Sequence, residues 1–102
     1  MVPALVVTEV AYLVGTRLGS DAEVRFIGDL ASGDFHVEPV APSDWLRIAE
    51  LVHTYRDLDL GTVDASVVTA SERLGVTTIA TIDRRHFTVV RPSHCDRLTI
   101  LP

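Results

Sequence analysis

Lysine, asparagine and glutamine are absent from this 102-residue chain, and cysteine, methionine and tryptophan occur once each. Without lysine, all nine bases are arginine, set against 14 acids, and the formal net charge of −5 argues against a broad phosphate-binding surface. The single Cys95 cannot close an internal disulfide and offers no thiolate framework for zinc, so it reads as a small packing residue. No nucleophile-elbow serine and no glycine-rich phosphate loop is present, which leaves acyl transfer and nucleotide binding without support. Long hydrophobic runs are missing too. The most apolar stretch, Met1 to Val14, is too short to cross a bilayer, lacks a basic leader and carries Glu9 in its middle. A cytoplasmic protein with no membrane partner is expected.

What is present is enough apolar material for a core. The chain is 47% hydrophobic and 23% charged, too apolar for a disordered segment, and its length suits a single domain over residues 1–102. Val6, Val7, Val10, Val14 and Leu18 recur at helical spacing, which predicts a helix from Pro3 to about Leu18, stopped by Gly19. Ser20 to Glu23 matches a capping box and predicts a second helix to about Ala31. Phe35 to Val40 alternates apolar with polar residues between turn signals, as a short strand does. Ser43 then caps a third helix to about Tyr55, with Trp45, Ile48, Ala49 and Val52 expected on the core side.

A fourth helix is predicted from Thr62 to Leu74 before Gly75, with Val63, Val67, Ala70 and Leu74 as its buried stripe. Thr77 to Ile82 is short and rich in β-branched residues, as is a buried parallel strand, and Leu98 to Leu101 suits a last strand. The alternation points to an α/β fold. Such sheets normally open with a strand, whereas this pattern opens inside a helix, so an upstream strand is expected to be missing.

Three carboxylates stand out. Glu9 lies at the edge of the first helix's apolar face, between Leu5 and Leu13; it either turns to solvent or needs a cation, because a carboxylate buried alone costs several kcal/mol, on the order of 2–7. Asp64 falls in the first turn of the fourth helix, where the positive end of the helix favours a carboxylate; an ordinary helix-start acid would look the same. Asp83 follows the Thr78 to Ile82 strand at its carboxyl end, where open α/β sheets place ligands, although a turn aspartate would also sit there. In a right-handed crossover, helix amino termini share an edge with strand carboxyl ends, so the three acids can gather on one rim. Three carboxylates with no lysine to neutralise them suit a hard divalent cation, Mg²⁺ or Mn²⁺, which activates water for displacement at phosphorus. A zinc reading of His86, His94, Cys95 and Asp96 fits no common spacing, and a phosphoacceptor receiver domain would normally require a lysine.

The stretch Ile79-Ala80-Thr81-Ile82-Asp83-Arg84-Arg85-His86-Phe87, with Gly61-Thr62-Val63-Asp64-Ala65 and Val7-Thr8-Glu9-Val10-Ala11, resembles a PIN-domain ribonuclease of the VapC toxin type. The likeness runs through essentially the whole chain in order. It implies an open, mainly parallel sheet flanked by helices, and four acids holding Mg²⁺ or Mn²⁺ for RNA phosphodiester cleavage. Glu9, Asp64 and Asp83 match the second, third and fourth of these. The first belongs to a central amino-terminal strand that has no counterpart here, so that strand and at least one helix are expected to be absent and the metal one ligand short. The readings are a start assigned too far downstream, an inactive remnant, or a fragment completed by another chain.

By the same resemblance, Asp64 and Asp83 bind metal directly, Glu9 binds metal or orients the attacking water, and Arg84 and Arg85 contact RNA phosphate, unless they are simply surface arginines beside a turn. A homodimer and a cognate VapB-type antitoxin are implied as well. The alternatives are a catalytically inactive PIN remnant that keeps antitoxin or dimer contacts, and another Mg²⁺-dependent phosphoryl enzyme on an open sheet.

Overall fold

Proline at position 3 closes a strand instead of entering a helix. The computed structural model describes residues 1–33, 35–80, 90–95 and 99–101, and in it Pro3 has extended ψ of 139° and precedes the first helical residue. The chain divides into two compact units, Met1–Val40 and Ala41–Pro102. The first contains β1 (Val2–Pro3), α1 (Ala4–Leu18), α2 (Ser20–Ala31) and β2 (Val37–Glu38). The second contains α3 (Asp44–Thr54), a single 3₁₀ turn (Arg56–Leu58), α4 (Thr62–Leu74), β3 (Thr78–Ala80) and β4 (Thr99–Leu101).

The strands form two parallel pairs. In the first unit Val2 stands opposite Val37 and Pro3 opposite Glu38; in the second, Thr78, Ile79 and Ala80 stand opposite Thr99, Ile100 and Leu101. In the first unit the paired parallel strands are joined through α1 and α2, the α/β arrangement that the sequence implied. The opening of the chain differs from expectation, because Val2–Pro3 is strand before the helix begins. Its pairing is anchored by the Val2 N–H, which donates to the His36 carbonyl at 2.8 Å.

Gly19 stops α1 as predicted: its φ of 93° lies in the region that side chains disfavour, and its N–H reaches the Gly15 carbonyl at 3.2 Å. The capping box does not form. Gly19 itself occupies the N-cap of α2 and Ser20 is already helical, so the serine hydroxyl has no free end to cap. Glu23 instead lies over Gly15, where an added Cβ would stand 2.5 Å from its Oε1. α1 and α2 pack on each other, yet neither contains a fully buried residue; Val6, Val7, Val10 and Val14 are half-buried and Leu18 is exposed.

The described core belongs to the second unit: Ile48, Leu51, Leu60, Ala65, Val68, Ala70 and Val90. α4 begins after extended Gly61, whose carbonyl accepts the Ala65 N–H at 3.0 Å. It ends in a Schellman motif, with Gly75 left-handed at φ 69° and the Val76 N–H on the Ser71 carbonyl at 2.9 Å. Its buried face is not the predicted one. Ala65, Ser66, Val68, Thr69, Ala70 and Ser71 are buried, whereas Val63 and Val67 are half-buried and Leu74 is exposed. Small side chains let α3 approach closely, and the buried hydroxyls satisfy themselves: Ser66, Thr69 and Ser71 donate to the carbonyls of Val63, Ala65 and Val68 at 2.5, 2.8 and 2.6 Å.

The core side of α3 also departs from expectation. Asp44, Ile48 and Leu51 are buried, Val52 is half-buried, and Trp45 and Ala49 are exposed. Ser43 makes no side-chain cap. Asp44, the first helical residue, instead reaches back to the loop before the helix, its Oδ2 accepting the Ala41 N–H at 2.9 Å while its oxygens receive Arg73 Nε at 3.2 Å. These polar links from α3 to α4, with that of Arg47, decide which face of α3 is covered.

Candidate functional site

Glu9 sits in the second turn of α1 and is exposed, with Leu5 half-buried and Leu13 exposed on either side. The desolvation cost expected at an apolar margin is therefore not incurred. Its carboxylate faces water, where a hydrated cation can reach it.

Asp64 occupies the first turn of α4 and is half-buried. The loop before it is shaped by the chain itself. The Tyr55 carbonyl accepts the Leu58 N–H at 3.0 Å and the Leu60 N–H at 3.5 Å, Asp59 turns left-handed, and Leu60 is buried beneath the start of the helix. With no side chain capping α4, the positive helix end is left to the carboxylate of Asp64. Ala65, fully buried, fixes the turn against the core.

Asp83, Arg84 and Arg85 lie outside the described residues, as do His86 and Asp96 of the zinc reading. Among the described residues no group of three or more His, Cys, Asp or Glu is assembled to hold an ion. His94 is already engaged, its Nε2 2.6 Å from the Val76 carbonyl, and Cys95 Sγ stands 3.9 Å from its ring nitrogens.

The second unit contains a charged cluster that pattern reading missed. Arg47 grips Glu72 with two parallel hydrogen bonds of 2.8 Å, from Nε to Oε1 and from Nη2 to Oε2, and also reaches Glu50 at 3.1 Å. Glu72 Oε2 in addition accepts the Ser93 N–H at 2.6 Å. Hydrogen bonding to Glu72 raises the Arg47 pKa further above its ordinary value. Burial pushes the Glu72 carboxyl up, but the Arg47 hydrogen bonds and the Ser93 amide outweigh it, so the net shift is downward. Apart from the i,i+3 pair Arg47–Glu50, no short-range signal announces this cluster, because Arg47 and Glu72 meet only after α3 and α4 have packed.

The donor chemistry suits a hard divalent ion. Glu9 and Asp64 carry carboxylate oxygens, the donor type that such an ion prefers.

Comparison with known proteins adds a second line. Residues 1–91 match the PIN domain. Over all 102 residues the chain is 37% identical to Ribonuclease VapC26 of Mycobacterium tuberculosis, an alignment covering 100% of this chain and 76% of that protein.

Proposed function

This chain belongs to the PIN-domain family and is VapC-like, and on that premise we propose that it is a divalent-metal-dependent endoribonuclease, the toxin of a type II toxin-antitoxin pair, acting as one domain over residues 1–102. The observation that carries the reading is the whole-chain likeness to a protein named as a ribonuclease; the place of Asp64 at an uncapped helix start supports it. Asp64 and Asp83 hold the metal directly. Glu9, exposed on α1, binds the same ion or orients the attacking water. Mg²⁺ or Mn²⁺, when bound, supplies a Lewis acid that lowers the pKa of water and offsets charge at phosphorus. Arg84 and Arg85 contact the RNA phosphates, which positions substrate without reading sequence. A cytoplasmic homodimer regulated by a VapB-type antitoxin completes the proposal; among the described residues no helix is long and apolar enough to cross a membrane.

The test is RNA cleavage by the purified chain with Mg²⁺, Mn²⁺ or a chelator, beside Asp64→Asn and Asp83→Asn. Metal-dependent cleavage that falls at least about a hundredfold in either variant is expected. Intact RNA with wild type, together with unchanged metal affinity in both variants, sinks the nuclease reading. Antitoxin binding without cleavage would identify an inactive remnant.

A further inference from the structure

The side of α1 that carries Glu9 also carries an aromatic ring for which the fold has no use. At 3.6 residues per turn, Leu5, Glu9, Tyr12, Leu13 and Thr16 fall on one side of the helix. Leu5 is half-buried there and the other four are exposed. Tyr12 is 69% exposed, and its hydroxyl has no partner among the described residues. The hydroxyls of Thr8 and Thr16 beside it donate to helix carbonyls, those of Leu5 at 2.8 Å and Tyr12 at 2.9 Å. Tyr55 shows what a structural tyrosine looks like in this chain: it is half-buried, and its Oη accepts the Arg91 N–H at 2.9 Å. Tyrosine is also a poorer helix former than alanine or leucine, so an exposed one in the middle of α1 adds nothing to the helix itself.

An acidic chain that binds RNA needs contacts that do not depend on charge. With 14 acids against nine arginines and no lysine, this one has no broad basic surface from which counterion release could supply the affinity. Unpaired bases stack on aromatic rings whatever the net charge, and each such contact contributes roughly tenfold or more in affinity. Among the described residues the exposed aromatic side chains are Tyr12, Phe35 and Trp45. Phe35 lies outside the helices and Trp45 lies on α3, whereas Tyr12 shares a helix side with a proposed metal ligand. Residues three apart on a helix have Cβ atoms about 5–6 Å from each other. A phosphate held at an ion on Glu9 therefore has the Tyr12 ring one helical turn away, within reach of the adjoining base.

We propose that Tyr12 is a substrate-contact residue, its ring stacking on an unpaired RNA base beside the phosphate that the metal on Glu9 holds; this rests on the nuclease reading and the ligand set proposed above. The contact is to the face of a base, so it tolerates any of the four bases. It is made equally before and during phosphodiester cleavage, so its loss raises KM and leaves kcat unchanged.

The experiment measures steady-state cleavage of a single-stranded RNA oligonucleotide by the full chain with Mg²⁺, for wild type, Tyr12→Phe and Tyr12→Leu. Thermal melting, and Mn²⁺ binding without RNA followed by electron paramagnetic resonance of the free ion, are recorded alongside. Tyr12→Leu is expected to raise KM roughly tenfold with kcat within about twofold of wild type. Tyr12→Phe keeps the ring and should stay within about twofold of wild type in both constants. Melting points should agree within about 2 °C and Mn²⁺ affinity should be unchanged in both variants, because the exposed ring neither fills the core nor belongs to the ligand set. A wild-type KM in Tyr12→Leu overturns the proposal. So does an equal rise in Tyr12→Phe, which would assign the effect to the hydroxyl, and so does weakened Mn²⁺ binding in Tyr12→Leu, which would assign it to the metal. If the wild type leaves RNA intact with either ion, the nuclease reading falls first and takes the proposal with it; if the wild type cleaves and Tyr12→Leu matches it, only the stacking role falls.

Discussion

Asp59 is the one non-glycine residue at positive φ, 55°, among the described residues, and it directs the chain toward Leu60, Gly61 and the start of α4. Left-handed backbone costs an ordinary side chain roughly 1–2 kcal/mol, less for aspartate and nothing for glycine. Asp59→Gly should hold or raise stability in urea unfolding, and Asp59→Val should lower it by about 1–2 kcal/mol. Glu72 gives a prediction with a pH signature. Its folded-state pKa lies below the ordinary value of 4.5, so its ionised form contributes stability at pH above 4.5, and that contribution is lost as pH falls through the depressed folded value. Glu72→Gln should therefore cost on the order of 2 kcal/mol at pH 7, because Arg47 loses its two-bond charged partner and keeps only the exposed Glu50, and the gap from wild type should close below pH 4.5. Urea unfolding at pH 7 and pH 3 measures it; an equal gap at both would mean that the pair's charge does not matter.

Helix ends were legible in the sequence where helix faces were not. α2 and α4 have the predicted limits, Ser20–Ala31 and Thr62–Leu74, because Gly19, Gly61 and Gly75 act on the backbone within a turn of where they stand. A face is chosen by whatever packs against it. The apolar count on α3 favoured Trp45 and Ala49, but Asp44 and Arg47 engage Arg73 and Glu72 on α4 and turn Ile48 and Leu51 inward. The same limit applies to the acids. Gly61 marked Asp64 as a first-turn residue, while periodicity placed Glu9 beside apolar neighbours and said nothing of its depth. The corrected face of α3 is testable by truncation. Leu51, 2% exposed, should lose about 3 kcal/mol on Leu51→Ala, whereas Leu46, 77% exposed, should lose less than about 0.5 kcal/mol on Leu46→Ala. The reverse order in thermal melts would overturn the observed face.

On the scale of the molecule, the two units are unequally buried. The described residues of Met1–Val40 include none that is fully buried, while Ala41–Pro102 contains every described core side chain. Local opening free energy follows buried apolar contact, so amides of α1 and α2 should exchange with solvent faster than those of α4. Hydrogen exchange at neutral pH measures this, and equal protection would show that the first unit is stabilised by something other than its own core. Metal gives the same experiment a second arm. An ion that binds only the folded state stabilises it by RT ln(1 + [L]/Kd), about 2.7 kcal/mol at a hundredfold excess over Kd. Asp64 is one of the proposed ligands and stands in the first turn of α4, so saturating Mg²⁺ should slow exchange in α4 of the wild type. Asp64→Asn should abolish that gain. Protection by Mg²⁺ that is undiminished in Asp64→Asn would remove Asp64 from the ligand set, because an ion bound elsewhere would then account for the stabilisation.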